Sequence, residues 1–351
     1  MIAKKKKISV IAICMTLIIC LFSGCGSGAD KDKDKKEGEG KKLKVVTTIF
    51  PAYDWSKKML GKNAKNADIT MLLDDGVDLH SYQPSAKDIA KISKCDVFVY
   101  VGGESDEWVK DALKEATNKK MIVINLMSKL GKSVKNEEVK EGMQAEHDHD
   151  HDKDKDHDHD KDKDHDHEHG EEPEKDEHVW LSLKNAKVCC AAISKALQKV
   201  DPENKDLYKQ NLKDYSKELS DLDKEYKKTV DSAKSKTLLF GDRFPFRYLV
   251  NDYGIEYFAA FVGCSAESEA SFKTVKFLAE KVDALGLKHI MTIEKNDHKI
   301  AKTIIKNTKA KNQDILTMDS MQATTGKDVK DGATYLDIIK KNLKVLKKAL
   351  N

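Results

Sequence analysis

The 351-residue chain reads as an α/β protein of two lobes, each a mostly parallel sheet flanked by helices, joined by a long helix. Three observations predict this. From Leu43 onward, short apolar runs alternate with longer amphipathic stretches, the pattern of a parallel sheet covered by helices on both faces. The scheme occurs twice along the chain. Between the two occurrences, a charged stretch of helical character runs from about Glu203 to Ser232.

The first half supplies strand-like runs at Lys44–Ile49, Ile69–Leu73, Val97–Val101 and Met121–Asn125. Helix-like segments lie between them at Ala52–Leu60, Ser85–Ser93 and Asp106–Ala116. Pro84 is expected in the first turn of its helix, where a missing N–H costs nothing. Asn185–Val200 also reads as helical. After Asp201-Pro202, Leu207, Leu212, Leu219, Leu222 and Tyr226 give the long helix an apolar stripe of mixed spacing. In the second half, Thr237–Phe240, Ile255–Phe261, His289–Ile293 and Asp314–Met318 read as strands. Phe246–Asp252, Phe272–Leu285, Lys299–Thr308 and Tyr335–Leu350 read as helices. The predicted organisation is thus a lobe over 43–202, a linking helix over 203–232 and a lobe over 233–351.

The N-terminus points to a compartment. Lys4 to Lys7 form a basic start, and Ile8 to Phe22 is an apolar run too short for a comfortable span. It ends in Phe22-Ser23-Gly24-Cys25. Small residues before a cysteine suit a peptidase that cuts ahead of it and leaves a thiol for acylation. Residues 1–24 are therefore expected to be a lipoprotein signal peptide, with Cys25 the lipidated mature end, holding the protein outside the cytoplasm on the cell membrane. Residues 25–42 lack apolar side chains and read as a solvated tether. A formal net charge of +3, with 35% of residues charged, carries no single-sign excess that would point to nucleic acid. The seven cysteines show no regular spacing, so a disulfide framework is not expected. Cys189 and Cys190 read as small buried residues on a helix.

Residues 146–177 fit neither lobe and are expected to form a solvated insertion. Eight of the 12 histidines lie there: His147, His149, His151, His157, His159, His165, His167 and His169. Neutral imidazoles suit Zn, Cu or Ni, and interleaved aspartates add hard oxygens. Two-residue spacing in a flexible chain sets no unique geometry, so several weak, exchanging accessory sites are expected rather than one closed site.

The ordered part offers better-placed ligands. His80 lies between a strand-like run and a helix, in Asp74-Asp75-Gly76-Val77-Asp78-Leu79-His80-Ser81-Tyr82-Gln83-Pro84. His178 lies where the chain leaves the insertion, and Asp319 directly follows a strand-like run. Open α/β sheets place ligands at the carboxyl ends of their strands. Two imidazoles and a carboxylate at strand exits of two lobes suit a cation held in the cleft between them.

These segments resemble a known family, the metal-binding lipoproteins of ABC transporters, in the zinc- and manganese-binding group of solute-binding proteins (ZnuA-like). The His80 segment resembles that family's Gly-x-(Asp)-x-His-x-Tyr-x-Pro loop. Asp176-x-His178-x-Trp180-Leu181-Ser182 resembles its Asp-x-His-x-Trp-Leu-Asp/Ser motif, and Thr317-Met318-Asp319-Ser320 its late Leu-Asp loop. Gly263-Cys264-Ser265-Ala266-Glu267-Ser268-Glu269-Ala270-Ser271 resembles a Gly-x-Ser-x-x-x-Glu-Pro-Ser stretch. The resemblance spans roughly residues 43–350. It implies a monomeric, non-catalytic protein that captures zinc, with manganese the alternative, and delivers it to the permease of an ABC importer. It also implies His80, His178 and Asp319 as the first, second and fourth ligands. A His-rich insertion just before the second ligand is typical of the zinc binders.

The family's third ligand, a His or Glu, precedes a Phe-x-Tyr signature. Here the region reads Phe240-Gly241-Asp242-Arg243-Phe244-Pro245-Phe246-Arg247-Tyr248, and ungapped counting lands on Arg243. Arginine has no lone pair to give. A one-residue insertion brings in Asp242 instead; Glu267, Glu269, Cys264 and a water stand as other donors. Extra carboxylates would favour harder ions such as manganese. Two other classes compete. One is a zinc-dependent hydrolase with Glu177 as base, although the chain carries no HExxH motif and no nucleophile elbow. The other is a surface adhesin, for which nothing in the sequence marks a protein-binding face.

Overall fold

The computed structural model describes residues 42–144, 174–265 and 269–351. The expected signal peptide, Cys25, nearly all of the tether and the eight insertion histidines lie outside the described residues.

Residues from Lys42 onward form one compact unit built on two four-stranded parallel sheets. In the first sheet, β1 (Leu43–Thr47), β2 (Ala67–Met71), β3 (Val97–Tyr100) and β4 (Ile122–Asn125) stand in the order β2-β1-β3-β4. The second sheet, β5 (Thr237–Phe244), β6 (Glu256–Val262), β7 (His289–Ile293) and β8 (Asp314–Met318), has the order β6-β5-β7-β8. The two orders are equivalent, as the repeated sequence scheme predicts. In both, the strand order reverses direction next to the first strand, which opens a crevice at the carboxyl ends.

Helices α1 (Phe50–Leu60), α2 (Ala86–Ser93), α3 (Val109–Lys114) and α4 (Leu126–Leu130) belong to the first half. Pro84 does not enter α2. It stands just before Ser85, whose hydroxyl accepts the Asp88 N–H while Asp88 accepts the Ser85 N–H. A capping box, rather than proline, opens this helix.

Two long helices follow, α5 (Leu183–Val200) and α6 (Lys205–Asp231). Tyr208, Tyr215, Leu219, Leu222, Tyr226 and Val230 are the buried residues of α6, and Leu207 and Leu212 of the predicted stripe pack half-buried against the same core. Tyrosines extend the stripe, because an aromatic ring can bury its body and bond its hydroxyl. The Tyr226 hydroxyl donates to the Ile339 carbonyl at 2.7 Å.

The second half adds α7 (Arg247–Tyr253), α8 (Phe272–Leu285), α9 (Lys299–Asn307), α10 (Gly326–Lys330) and α11 (Tyr335–Ala349). Helix α11 crosses back to the first half. The buried Asp54 carboxylate of α1 accepts the Tyr335 N–H at 3.1 Å, an acid at a helix N-terminus. Trp55 and Tyr335 meet edge to face, with centroids 5.1 Å apart. The larger of two apolar clusters among the described residues accordingly runs through both halves, from Val45 and Trp55 to Tyr335 and Leu346, and the smaller lies in the second half around Phe261, Leu278 and Ile304.

Residues 174–177, expected to belong to the solvated insertion, are instead paired. Glu137 N–H donates to the Glu174 carbonyl at 2.8 Å, and Asp176 N–H donates to the Lys135 carbonyl at 2.9 Å. Asp176 and Glu177 are buried. Their charges escaped a composition reading because each carboxylate serves the site described next.

Candidate metal centre

The candidate centre sits where loops leaving the carboxyl ends of strands from both sheets converge. The loop after β2 carries His80, and the loop after β3 carries Ser105. Gly263 and Cys264 follow β6, and Gln322 follows β8. His178 enters from the segment leading to α5.

The two imidazoles face each other through their Nε2 atoms at 3.3 Å. Each is held from behind. His178 is fully buried, and its Nδ1 lies 3.1 Å from Asp176 Oδ1, which also accepts the His178 N–H at 2.8 Å. His80 Nδ1 lies 2.8 Å from the Ser105 hydroxyl and 3.4 Å from Glu177 Oε2. Glu177 is fixed in turn by the Ser105 N–H at 2.9 Å. It also packs against Gly103, a left-handed residue (φ 86°) at which a Cβ would lie 2.2 Å from Glu177 Oε1. Nδ1 atoms anchored to oxygen leave both Nε2 atoms aimed into the site, the usual backing of a metal-bound imidazole. Burial, the facing imidazole of His178 and the nearby Arg243 push His80 down to about 3. It therefore stays neutral, with its lone pair free, throughout the physiological range.

Gln322 closes one side. Its amide Nε2 lies 2.6 Å from His178 Nε2 and 3.3 Å from His80 Nε2. Donating to both lone pairs satisfies them without a cation. A half-turn of the amide puts its oxygen there instead. Two buried contacts steady the backbone of this loop: the Trp180 indole N–H donates to the Ser320 carbonyl at 2.8 Å, and Glu294 accepts the Ser320 N–H at 2.7 Å.

Cys264 closes another side. Its Sγ and the ring nitrogens of His80 and His178 all lie within 4.8 Å of one another. Among the described residues this is the one group of three histidine, cysteine or acidic side chains so placed. The Cys264 N–H donates to Glu137 Oε1 at 3.0 Å. Burial, with Glu137 and Asp176 nearby, pushes the thiol well above its ordinary range.

The arrangement fits a tetrahedral zinc ion. With Zn–N near 2.0–2.1 Å, two imidazole nitrogens in one tetrahedral shell stand about 3.3–3.4 Å apart; His80 and His178 stand at 3.3 Å.

The other expected ligands are placed differently. Asp242 and Asp319 are not in the group. The cause at Asp242 is a bulge: Phe240 pairs with Ala259 but Arg243 with Phe261, so β5 carries one extra residue. Asp242 then turns inward to accept the Ile293 N–H at 3.1 Å and the Arg243 N–H at 2.9 Å. Arg243 faces the cleft and pairs with Asp78, whose other oxygen accepts the His80 N–H at 3.1 Å. Asp319 folds back on its own loop, where it accepts the Met321 N–H at 2.8 Å. Burial and the nearby Glu294 push Asp319 up to about 6. Met321 is left-handed (φ 65°), and this sharp turn swings Gln322 toward the imidazoles. Glu269 pairs with Lys299 at 2.8 Å, and Glu267 lies outside the described residues.

Two parallel-sheet halves around a shared apolar core, with an imidazole pair at the carboxyl edge between them, define a metal-type solute-binding protein. The profile of the family described as zinc-uptake complex component A, periplasmic, matches residues 45–349, and the chain belongs to that family. It is 32% identical over 312 residues to the zinc-binding protein AdcA of Streptococcus pyogenes serotype M3, covering 87% of this chain and 56% of that protein. The chain thus spans about half the length of its streptococcal relative. It is 32% identical over 310 residues to the high-affinity zinc uptake system protein ZnuA of Bacillus subtilis (strain 168), covering 88% of each. Among solved structures, it is similar to the Zn(II)-bound ZnuA-like domain of Streptococcus pneumoniae AdcA, with TM-score 0.64, 27% identity and coverage of 88% of this chain and 99% of that one. It is also similar to the metal-dependent lipoprotein YcdH of Bacillus subtilis, with TM-score 0.67, 26% identity and coverage of 88% and 99%.

Proposed function

We propose that this protein is an extracytoplasmic binding protein that captures zinc between His80 and His178 and delivers it to the permease of an ABC importer, without catalysing a reaction. The observation that carries this reading is the pair of Nε2 atoms 3.3 Å apart, each ring backed through Nδ1. Relatives named for zinc binding and zinc uptake support it. In this reading residues 1–24 are a signal peptide, Cys25 carries lipid and 25–42 tether the protein to the membrane. The histidines from His147 to His169 raise the local metal concentration beside the centre.

Calorimetric titration of zinc and manganese into the full chain, and into a version lacking residues 146–174, tests this. The deletion version is expected to keep one tight zinc site that His80→Ala abolishes. Loss of tight binding together with the insertion, or a core that takes manganese alone, would overturn the assignment.

A further inference from the structure

We propose that Cys264 supplies the third protein ligand, as a thiolate, to the cation held by His80 and His178. This rests on the proposed metal-binding function and specifies its ligand set.

Gly263 sits against the edge of the His178 ring, and a Cβ there would lie 3.0 Å from His178 Cε1. This bare backbone lets the strand exit approach the imidazole closely and delivers the next side chain to the site. Cys264 is then held on both flanks: its N–H is bound by Glu137, and the following carbonyl, of Ser265, lies 3.5 Å from Arg243 Nη1. The Sγ is within 4.8 Å of both ring nitrogens. A tetrahedral zinc with one sulfur near 2.3 Å and one nitrogen near 2.05 Å needs an S···N edge of about 3.6 Å. Closing the remainder takes at most about 1.2 Å of movement.

Competitors for the place are engaged elsewhere. Asp242 is committed to two backbone N–H groups, Asp319 to its own loop and Asp78 to Arg243. On binding, the Cys264 S–H bond breaks, its electron pair passes to the metal and the proton leaves to solvent. A thiolate is a soft ligand that favours zinc over manganese, so Cys264 also sets selectivity.

The test uses cobalt(II) as a spectroscopic probe for zinc in the full chain, under reducing, oxygen-free conditions. One equivalent is expected to give a near-ultraviolet sulfur-to-cobalt charge-transfer band that both Cys264→Ser and His80→Ala abolish. Of the six other cysteines, Cys14 and Cys20 leave with the expected signal peptide and Cys25 is expected to be acylated, while Cys95, Cys189 and Cys190 are fully buried in the apolar core, so none should contribute. Zinc affinity of Cys264→Ser is expected to fall roughly a hundredfold, at the upper end of what one supporting group contributes, while manganese affinity changes far less. X-ray absorption on the unaltered zinc-loaded chain needs no variant, and should show one sulfur at about 2.3 Å beside nitrogen and oxygen. A His80-dependent zinc shell of nitrogen and oxygen alone, or a charge-transfer band that survives in Cys264→Ser, refutes the thiolate and leaves the two-imidazole reading standing. Metal binding indifferent to His80→Ala removes both.

Discussion

Gly263→Ala tests whether the site is held as tightly as its contacts imply. Gly263 is not left-handed, so the backbone itself accepts alanine. The obstacle is the space for a methyl group. The new Cβ would lie 2.9 Å from the Phe244 carbonyl oxygen, 3.0 Å from His178 Cε1 and 3.1 Å from His178 Nδ1. Ordinary contact is about 3.5–4.0 Å, so roughly half an ångström or more must be found. Phe244 cannot retreat easily, because β5 is paired to β6 opposite Val262. His178 is fully buried, and moving it strains the 3.1 Å contact with Asp176 and displaces Nε2 from its partner. Overpacking of this kind costs about 1–3 kcal/mol of stability. A displaced imidazole should also lower zinc affinity about 10–100-fold, the usual consequence of disturbing a ligand's support. Thermal melting of the metal-free protein and a chelator-competition titration with zinc read the two effects separately. Lowered stability with unchanged zinc affinity would show that the strain passes into the strand and not the ring. That result would refute a tight fit of Gly263 against the His178 ring.

Two further outcomes follow from groups around the centre. Burial and the adjacent Glu177 push Asp106 up to about 7, above the roughly 3.9 of an unfolded chain. The folded state therefore holds the extra proton, and this stabilisation is complete below about pH 4 and lost as pH rises through 7. Asp106→Asn keeps an acceptor for the Gly102 N–H, now held at 2.9 Å. Melting of the metal-free variant should fall less between about pH 5 and 8 than that of the parent, and the reverse slope would disprove the protonated carboxyl. Trp180→Phe removes the donor to the Ser320 carbonyl. An unsatisfied buried carbonyl costs about 1–3 kcal/mol, so the variant should melt earlier. It should also bind zinc more weakly, because the loop that carries Gln322 loses its anchor; unchanged affinity by calorimetry would place the role of Trp180 in stability alone.

The strands were legible because parallel, doubly covered strands are continuous apolar runs. His289–Ile293 and Asp314–Met318 were located to the residue. The imidazole pair was legible too, since histidine at a strand exit carries a chemical signal. Gln322 and Ser105 were not. Neutral side chains carry no ligand signature, and the turn that aims Gln322 depends on a left-handed Met321 that no periodicity announces. Leu207 and Leu212 of the predicted stripe of α6 pack half-buried against the core, while Tyr208 and Tyr215 were not legible, because their burial depends on the neighbouring helix α5 and on α1. Counting along the chain favours Asp242, but it cannot see how a bulge in β5 turns that side chain. The bulge sends the carboxylate toward β7 and Arg243 toward the cleft.

Sequence composition alone could not decide between a hard and a soft ion, because carboxylates and imidazoles crowd every motif. The structure separates them by task. Asp176 and Glu177 back the imidazoles, Asp78 caps the His80 turn and neutralises Arg243, and Glu294 holds the Ser320 backbone. Asp242 and Asp319 bind backbone N–H groups. The atoms left at the centre are two imidazole nitrogens, an amide and a sulfur. Oxygen-rich octahedral ions would find few anionic ligands there, whereas a tetrahedral nitrogen and sulfur shell matches zinc. The acidic residues thus act from one layer out: they fix the two rings and leave the space between them to softer donors.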